Sequence, residues 1–392
     1  MAGSAVVRTT RCLEYRATGG RCQVKILCER QSAPDVLRGL LRQMEADPEV
    51  ASVLILAADG NGWTPDSIDE ILKSSTKQVF GGLFPQILHG MERLEHGVVA
   101  VGLPEAVKLT VIDGLSDPET DFVDAIELAF PDIGEGGTMF VLVDGFSRRI
   151  SALIDALFDT FGLGINYLGG GGGSLSLVQK PCVITPSGLK RDAALLAYLD
   201  RPSGVGVAHG WGAISTAFRV TEANSNTVIS LDWRPAFEVY REIVESHSQQ
   251  RFGDDNFFAI AKSYPLGIAK LGNEVVVRDP ILANGNQLVC VGEVPVGAFV
   301  QILHGNRDTL MAAAVHARES ARSSFGTGKP GLELFVDCIS RVLFLEGDFD
   351  LEMKAARIPD LPMVGVLSIG EIANSGQDYL EFYNKTAVVA LL

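Results

Sequence analysis

Apolar residues recur at three- and four-residue spacing from Ala33 to Met44, with Val36, Leu37, Leu40, Leu41 and Met44 on one face behind Ala33-Pro-Asp35, and this predicts a helix. Val50 to Ala57 reads as a buried strand, and Ser67 to Ser75, with Ile68, Ile71 and Leu72, as a short helix. The apolar stretch Val79-Phe-Gly-Gly-Leu-Phe84 and the strand Gly97 to Leu103 follow. The order recurs: a helix over 121–129, a strand over 138–143, a helix over 151–161, then Ile165-Asn-Tyr-Leu before five glycines at 169–173. Strands are predicted at 174–179 and 182–185, joined by a turn, and at 204–212 and 217–221, with a helix at 235–245. The last third adds strands at 274–277, 287–291 and 298–303 and an alanine-rich helix at 307–323. After an apolar run at 332–340 come a helical stretch near 350–356 and two apolar segments, 363–372 and 386–392.

Two of these passages match. Val79-Phe-Gly-Gly-Leu-Phe-Pro-Gln-Ile87 followed by Val98-Val-Ala-Val parallels Met363-Val-Gly-Val-Leu-Ser-Ile-Gly-Glu-Ile372 followed by Val388-Val-Ala-Leu. This internal pseudo-repeat predicts a mixed α+β fold of two related parts, with largely antiparallel sheets covered by helices, in place of a doubly wound parallel sheet. The expected divisions are an N-terminal extension or edge strand at 1–32, a first domain at 33–225 and a second at 226–392. A shorter echo, Gln86-Ile-Leu-His-Gly90 against Gln301-Ile-Leu-His-Gly305, falls outside that scheme and reads as coincidence.

Composition narrows the functions. The 392 residues carry 33 Lys+Arg and 48 Asp+Glu, a net charge of −15, which argues against nucleic acid as a partner. No apolar run reaches the roughly 18 residues of a membrane span, and the start of the chain has no apolar leader core, so a cytoplasmic location is expected. The cysteines at 12, 22, 28, 182, 290 and 338 are widely spread and read as reduced thiols. Cys12, Cys22 and Cys28 cluster, but at spacings that match no strong zinc pattern.

Several residues invite chemistry, each with a bland alternative. Gly169, Gly170 and Gly171 are a candidate anion-cradling nest, or a crowded crossing of backbone. His209 and Trp211, in Val207-Ala-His-Gly-Trp-Gly-Ala213, suit a pocket with a polar anchor and an apolar wall; His209 is also the candidate axial ligand for haem. Arg278, Glu371 and Asn384 have the residue types that recognise an amino-acid zwitterion, or they form a structural network. Cys338 and Arg341, three apart, allow a thiol activated by the guanidinium if the segment is helical. No G-x-S-x-G, H-E-x-x-H or inferable carboxylate pair is present, so the sequence motivates no enzyme, a thiol-dependent one being the alternative.

Taken in order, several motifs resemble the FIST sensory domains, N-terminal and C-terminal parts together, from about residue 33 to the end. They are the glycine run 169–173; His209-Gly-Trp-Gly with Phe218-Arg-Val-Thr221; Leu231-Asp-Trp-Arg-Pro-Ala236; Tyr264-Pro-Leu-Gly267; Val277-Arg-Asp-Pro280; Cys338-Ile-Ser-Arg341; Gly365-Val-Leu-Ser-Ile-Gly-Glu371; and Tyr383-Asn-Lys-Thr386. The resemblance implies a stand-alone sensor that binds a small ligand, an amino acid or similar small anion, and signals through a separate protein. It also implies the alternative of a haem-binding nitric-oxide sensor acting on a histidine kinase. Residues 1–32 lack the leucine-rich helical pattern of an F-box. The chain departs from the family pattern at Gly81-Gly-Leu-Phe-Pro-Gln86, where a Gly-Glu is expected, and at Tyr383, where a His is expected. The candidate ligand-binding set is thus Gly169, Gly170, Gly171, His209, Trp211, Arg278, Arg341, Glu371 and Asn384, with no metal site expected apart from haem at His209.

Overall fold

A computed structural model describes residues 24–253, 255–270, 275–374 and 379–392. The N-terminal stretch 1–23, with Cys12 and Cys22, lies outside the described residues, as does Glu274 at the start of one expected strand.

The first unit runs β1 (Lys25–Glu29), α1 (Pro34–Glu45), β2 (Ser52–Ala58), α2 (Pro65–Lys73), β3 (Gln78–Phe84), the hairpin β4 (Gln86–His89) and β5 (Glu92–Leu94), and β6 (Val98–Leu103). Local signals place its helices: Pro34 opens α1 with Asp35 in its first turn, and Thr64 and Ser67 form a capping box ahead of α2. The second unit repeats the order as β7 (Lys108–Asp113), α3 (Phe122–Ala129), β8 (Thr138–Asp144), α4 (Ile150–Phe161), β9 (Asn166–Gly172), the hairpin β10 (Val183–Thr185) and β11 (Gly188–Lys190), and β12 (Ala193–Leu199).

The third unit begins with β13 (Gly204–Ala208) and is then interrupted by an inserted body. That body comprises β14 (Gly212–Ala213), β15 (Phe218–Asn224), β16 (Thr227–Leu231), β17 (Arg234–Pro235), α5 (Ala236–Ser248), α6 (Phe257–Ala261), β18 (Leu266–Ala269), β19 (Val275–Asn284), β20 (Gln287–Val291) and β21 (Phe299–His304). Its pairings run β21–β15–β16–β20–β19–β18 and return to β21, closing an antiparallel barrel. The unit resumes with α7 (Arg307–Phe325), β22 (Glu333–Cys338), α8 (Ile339–Leu345), α9 (Phe349–Ala356), β23 (Met363–Ser368), the hairpin β24 (Glu371–Ala373) and β25 (Glu381–Tyr383), and β26 (Ala387–Leu391). The alanines of α7 let it sit against β13, where a Cβ on Gly206 would lie 1.9 Å from the Ala317 carbonyl.

The three unit sheets share one strand plan, in the orders β1-β6-β2-β3-β10-β11, β7-β12-β8-β9-β24-β25 and β13-β26-β22-β23-β4-β5. Each is antiparallel except for one parallel pair: β2–β3, β8–β9 and β22–β23. The repeat seen in the sequence is therefore real, and a third copy lies between its two members. The hairpins are exchanged in a ring: β4 pairs with β23 of the third unit, β10 with β3 of the first, and β24 with β9 of the second. The inner sheet faces meet in a common apolar core, where Phe80 and Phe140 pack edge-on at 5.5 Å between ring centres.

The glycines of these repeated passages sit within strands. Gly81, Gly169 and Gly365 are equivalent, paired with Ile55, Val141 and Phe335 in the three parallel ladders. A Cβ there would lie 1.9, 1.8 and 2.1 Å from the partner's carbonyl oxygen, so no larger residue fits. Residues 174–179, expected as a strand, form a turn and irregular loop, where the Ser174 and Ser176 hydroxyls accept nearby backbone N–H groups and Leu177 is left-handed, with φ +55°.

Candidate functional site

A cavity of about 320 Å³ opens where β22 and β23 end, beside the chain that leads into β26. Its walls come from three sources: Ile339, Leu343 and Ile369 of the third unit; Phe146, Leu175 and Leu177 of the second; and Phe258, Ile281 and Val291 of the inserted body. Leu175 and Leu177 form an exposed apolar lip on the loop between β9 and β10. The polar floor is Asp279, Cys338, Ser340, Ser368 and Asn384.

Lys385 organises this floor. Its Nζ donates to Ser340 Oγ at 2.8 Å and to the Lys262 carbonyl at 2.9 Å, and pairs with Asp279 Oδ1 at 3.2 Å. Ser340 Oγ in turn donates to Asp279 Oδ2 in a short hydrogen bond. The lysine is fully buried and its backbone is left-handed, with φ +53°. That conformation is held by the Lys385 carbonyl, which accepts from Trp211 Nε1 at 3.0 Å and Arg341 Nη1 at 2.9 Å. Burial pushes the Asp279 carboxyl up, and Lys385 and Ser340 pull it back.

Behind the floor, Arg341 bonds Glu352 through Nε at 3.0 Å and through Nη2, and lies 3.2 Å from Asp337 Oδ1. Burial, followed by repulsion from Glu352, drives the Asp337 carboxyl well above the usual range. Glu371 is pushed to about 8 by burial, against hydrogen bonds from Ser368 Oγ at 2.8 Å and the Thr386 N–H at 3.3 Å. It is therefore protonated at neutral pH. Burial and then the neighbouring Glu371 raise the Cys338 thiol well above its normal value, and the guanidinium expected to activate it is already neutralised by two acids.

Asn384 is different in kind. Its side chain is buried, with its residue 1 % exposed, borders the cavity, and has no hydrogen-bond partner on either amide atom. Buried polar groups are almost always paired, and leaving one open costs about 1–3 kcal/mol.

The nine residues expected from sequence separate. Asn384 borders the cavity; Glu371 lies one layer behind it, bonded to the lining Ser368. Arg341 and Trp211 are part of the support, both holding the Lys385 carbonyl. His209 supplies its carbonyl to Arg341 Nη1 at 2.6 Å and accepts the Trp211 N–H on Nδ1 at 3.0 Å. Burial and Arg341 lower its pKa to about 4, so the ring is neutral.

Arg278 does not reach the cavity. Its guanidinium donates to the Phe382 carbonyl at 2.7 Å and the Glu293 carbonyl at 2.8 Å, clamping the barrel to β25. Gly169, Gly170 and Gly171 are no open nest either. Gly170 is opposite Glu371 in the ladder and the Gly171 N–H is bonded to the Gly370 carbonyl, because three sheets converge there. Sequence reasoning missed Asp279, Ser340 and Lys385, although each is a direct neighbour of a residue it chose.

The FIST N domain model matches residues 29–234 and the FIST C domain model residues 236–374. The chain belongs to the FIST family. FIST domains are sensory domains of signal transduction, and the cavity takes its walls from both matched regions. No curated protein matches the chain. Among the described residues, no helix is long and apolar enough to cross a membrane.

Proposed function

We propose that this FIST protein is a sensor whose cavity binds a small, neutral, largely apolar molecule carrying one group that both donates and accepts a hydrogen bond. The observation that carries this reading is Asn384, a buried amide with both atoms unmet, facing apolar walls. Asp279 is the single charged residue among the lining residues and it is paired with Lys385, so the cavity offers no free charge to a ligand. An amino-acid zwitterion would bring two charges to a cavity whose one charged lining residue is already paired, at a desolvation cost the site does not offset. A primary amide, by contrast, pairs with Asn384 through two hydrogen bonds while its chain lies against Leu175, Leu177, Phe146 and Phe258.

Binding needs no chemistry to signal. The ligand would touch the second-unit lip, the barrel and the third sheet at once, and so favour whichever arrangement of these parts fits it best. A separate protein would read that arrangement.

Calorimetric titration with hexanamide and decanamide, beside alanine and glutamate, tests this. Saturable heat with the amides, none with the amino acids, and its loss in Asn384→Ala is the expected result. Equal binding by Asn384→Ala, or binding of the amino acids alone, overturns it.

A further inference from the structure

We propose that the same cavity is also an acyl-transfer site, with Ser340 as nucleophile, Asp279 as general base and Asn384 as oxyanion donor, acting on small esters with an apolar acyl chain. The proposal rests on the cavity assigned above and adds chemistry to it. Three observations carry it.

The first is the hydrogen bonding of Ser340. Its hydroxyl proton already points at a carboxylate oxygen, Asp279 Oδ2, and its oxygen already accepts from an ammonium, Lys385 Nζ at 2.8 Å. A base aligned on the proton activates a serine, and a cation beside the oxygen eases removal of that proton. One oxygen lone pair is left over, and Ser340 borders the cavity. The second is the donor: Asn384 Nδ2 is buried beside the same space with nothing to bond. A fixed, dry donor of that kind stabilises charge that appears during a reaction. The third is the strained lysine. Lys385 is fully buried with left-handed φ, held by Trp211 and Arg341 through its carbonyl, an arrangement that sets the position of its ammonium.

The steps balance with water as co-reactant. Ser340 Oγ adds to the ester carbonyl carbon while its proton passes to Asp279 Oδ2, and the carbonyl π pair moves onto oxygen opposite the Asn384 N–H. Collapse breaks the bond to the leaving alcohol, which takes the proton back from Asp279. Water then adds to the acyl-serine with the same proton path, releases the carboxylic acid and restores the hydroxyl. The ester is hydrolysed with no change of oxidation state. The apolar walls of Leu343, Ile369 and Phe258 suit the acyl chain, and the exposed lip suits an entering one.

The test uses the full chain with p-nitrophenyl hexanoate and a hexyl fluorophosphonate. The expected result is release of p-nitrophenolate with a burst close to one per protein, and a single phosphonyl adduct on the peptide that carries Ser340. Ser340→Ala abolishes both. Asp279→Asn slows acylation by about 10²- to 10⁴-fold, the usual worth of a positioned base. Should Asp279→Asn fail to fold, Ser340→Ala, which keeps the Lys385–Asp279 pair, decides alone. An adduct on another residue, no adduct at all, or undiminished turnover by Ser340→Ala overturns the proposal. Hexanamide titrated into Ser340→Ala separates the two readings: binding without acylation in the wild type removes the hydrolysis and leaves the sensor cavity, whereas loss of amide binding in both folded proteins removes the cavity assignment as well.

Discussion

The ammonium of Lys385 stands 2.8 Å from the hydroxyl of Ser340 and 3.2 Å from the carboxylate of Asp279, inside a fully buried site. Removing one member of such a pair strands the other charge. Lys385→Met is expected to destabilise the protein by about 3–5 kcal/mol, and Asp279→Asn added to it to recover part of that loss. Urea unfolding of the two single variants and the double variant measures the coupling; purely additive effects would show that the pair is not an energetic unit.

Asn384→Ala should behave in the opposite way. No hydrogen bond is lost on truncating an amide that has none, so the midpoint of unfolding is expected to stay within about 1 kcal/mol of wild type or to rise. Amide binding is expected to disappear in the same variant. A large loss of stability would mean that the amide is structural.

The acid at Glu371 gives a pH signature. Its folded pKa is raised to about 8 from an ordinary 4.5, so between these values the unfolded chain is ionised there while the folded chain keeps its proton. The folded state then binds more protons, and stability falls as pH rises through that window and levels off above it. Asp337, Glu352 and Glu333 act in the same sense. His209, lowered to about 4, acts oppositely below its ordinary 6.5, which leaves pH 6.5 to 8 as the clean interval. Glu371→Gln is expected to flatten the decline of urea-unfolding stability across that interval; an unchanged slope would count against the raised pKa.

Two glycines of similar sequence appearance should respond with opposite sign. Gly365→Ala would drive a Cβ to 2.1 Å from the Phe335 carbonyl and is expected to cost about 3 kcal/mol or more, with the same outcome at Gly81 and Gly169. Gly39 lies on the exposed side of α1 with nothing within 4 Å of its would-be Cβ, and Gly39→Ala should add about 0.5–1 kcal/mol. Thermal unfolding of the set ranks them.

Much of this architecture is written in periodicity. The helices at 34–45 and 150–161 declare themselves by apolar spacing, that at 307–325 by its alanines, and the match of 79–87 with 363–372 exposes the repeat. The middle copy is hidden because five consecutive glycines erase the apolar signal of β9, leaving the strand to look like a turn after it. The motifs around 278, 341 and 384 each contribute a residue that lines the cavity, but charge drew attention to Arg278 and Arg341, which do not line it. Strand alternation sends Arg278 away from the cavity and Asp279 towards it, and Arg341 is absorbed by Asp337 and Glu352 while Ser340 faces the opening. Lys385 gave no signal, since a lysine is read as solvent-exposed by default.

The ring of exchanged hairpins has a consequence for biosynthesis. When β4 and β5 leave the ribosome, the strand that will receive them, Met363–Ser368, has not been made. The hairpins of the second and third units find β3 and β9 already made, whereas that of the first waits for β23, so the ring closes in one late event. Truncation after the first or the second unit would leave adhesive strand edges in place of a smaller working protein, and two nascent copies held close together have a ready route to trading hairpins with each other.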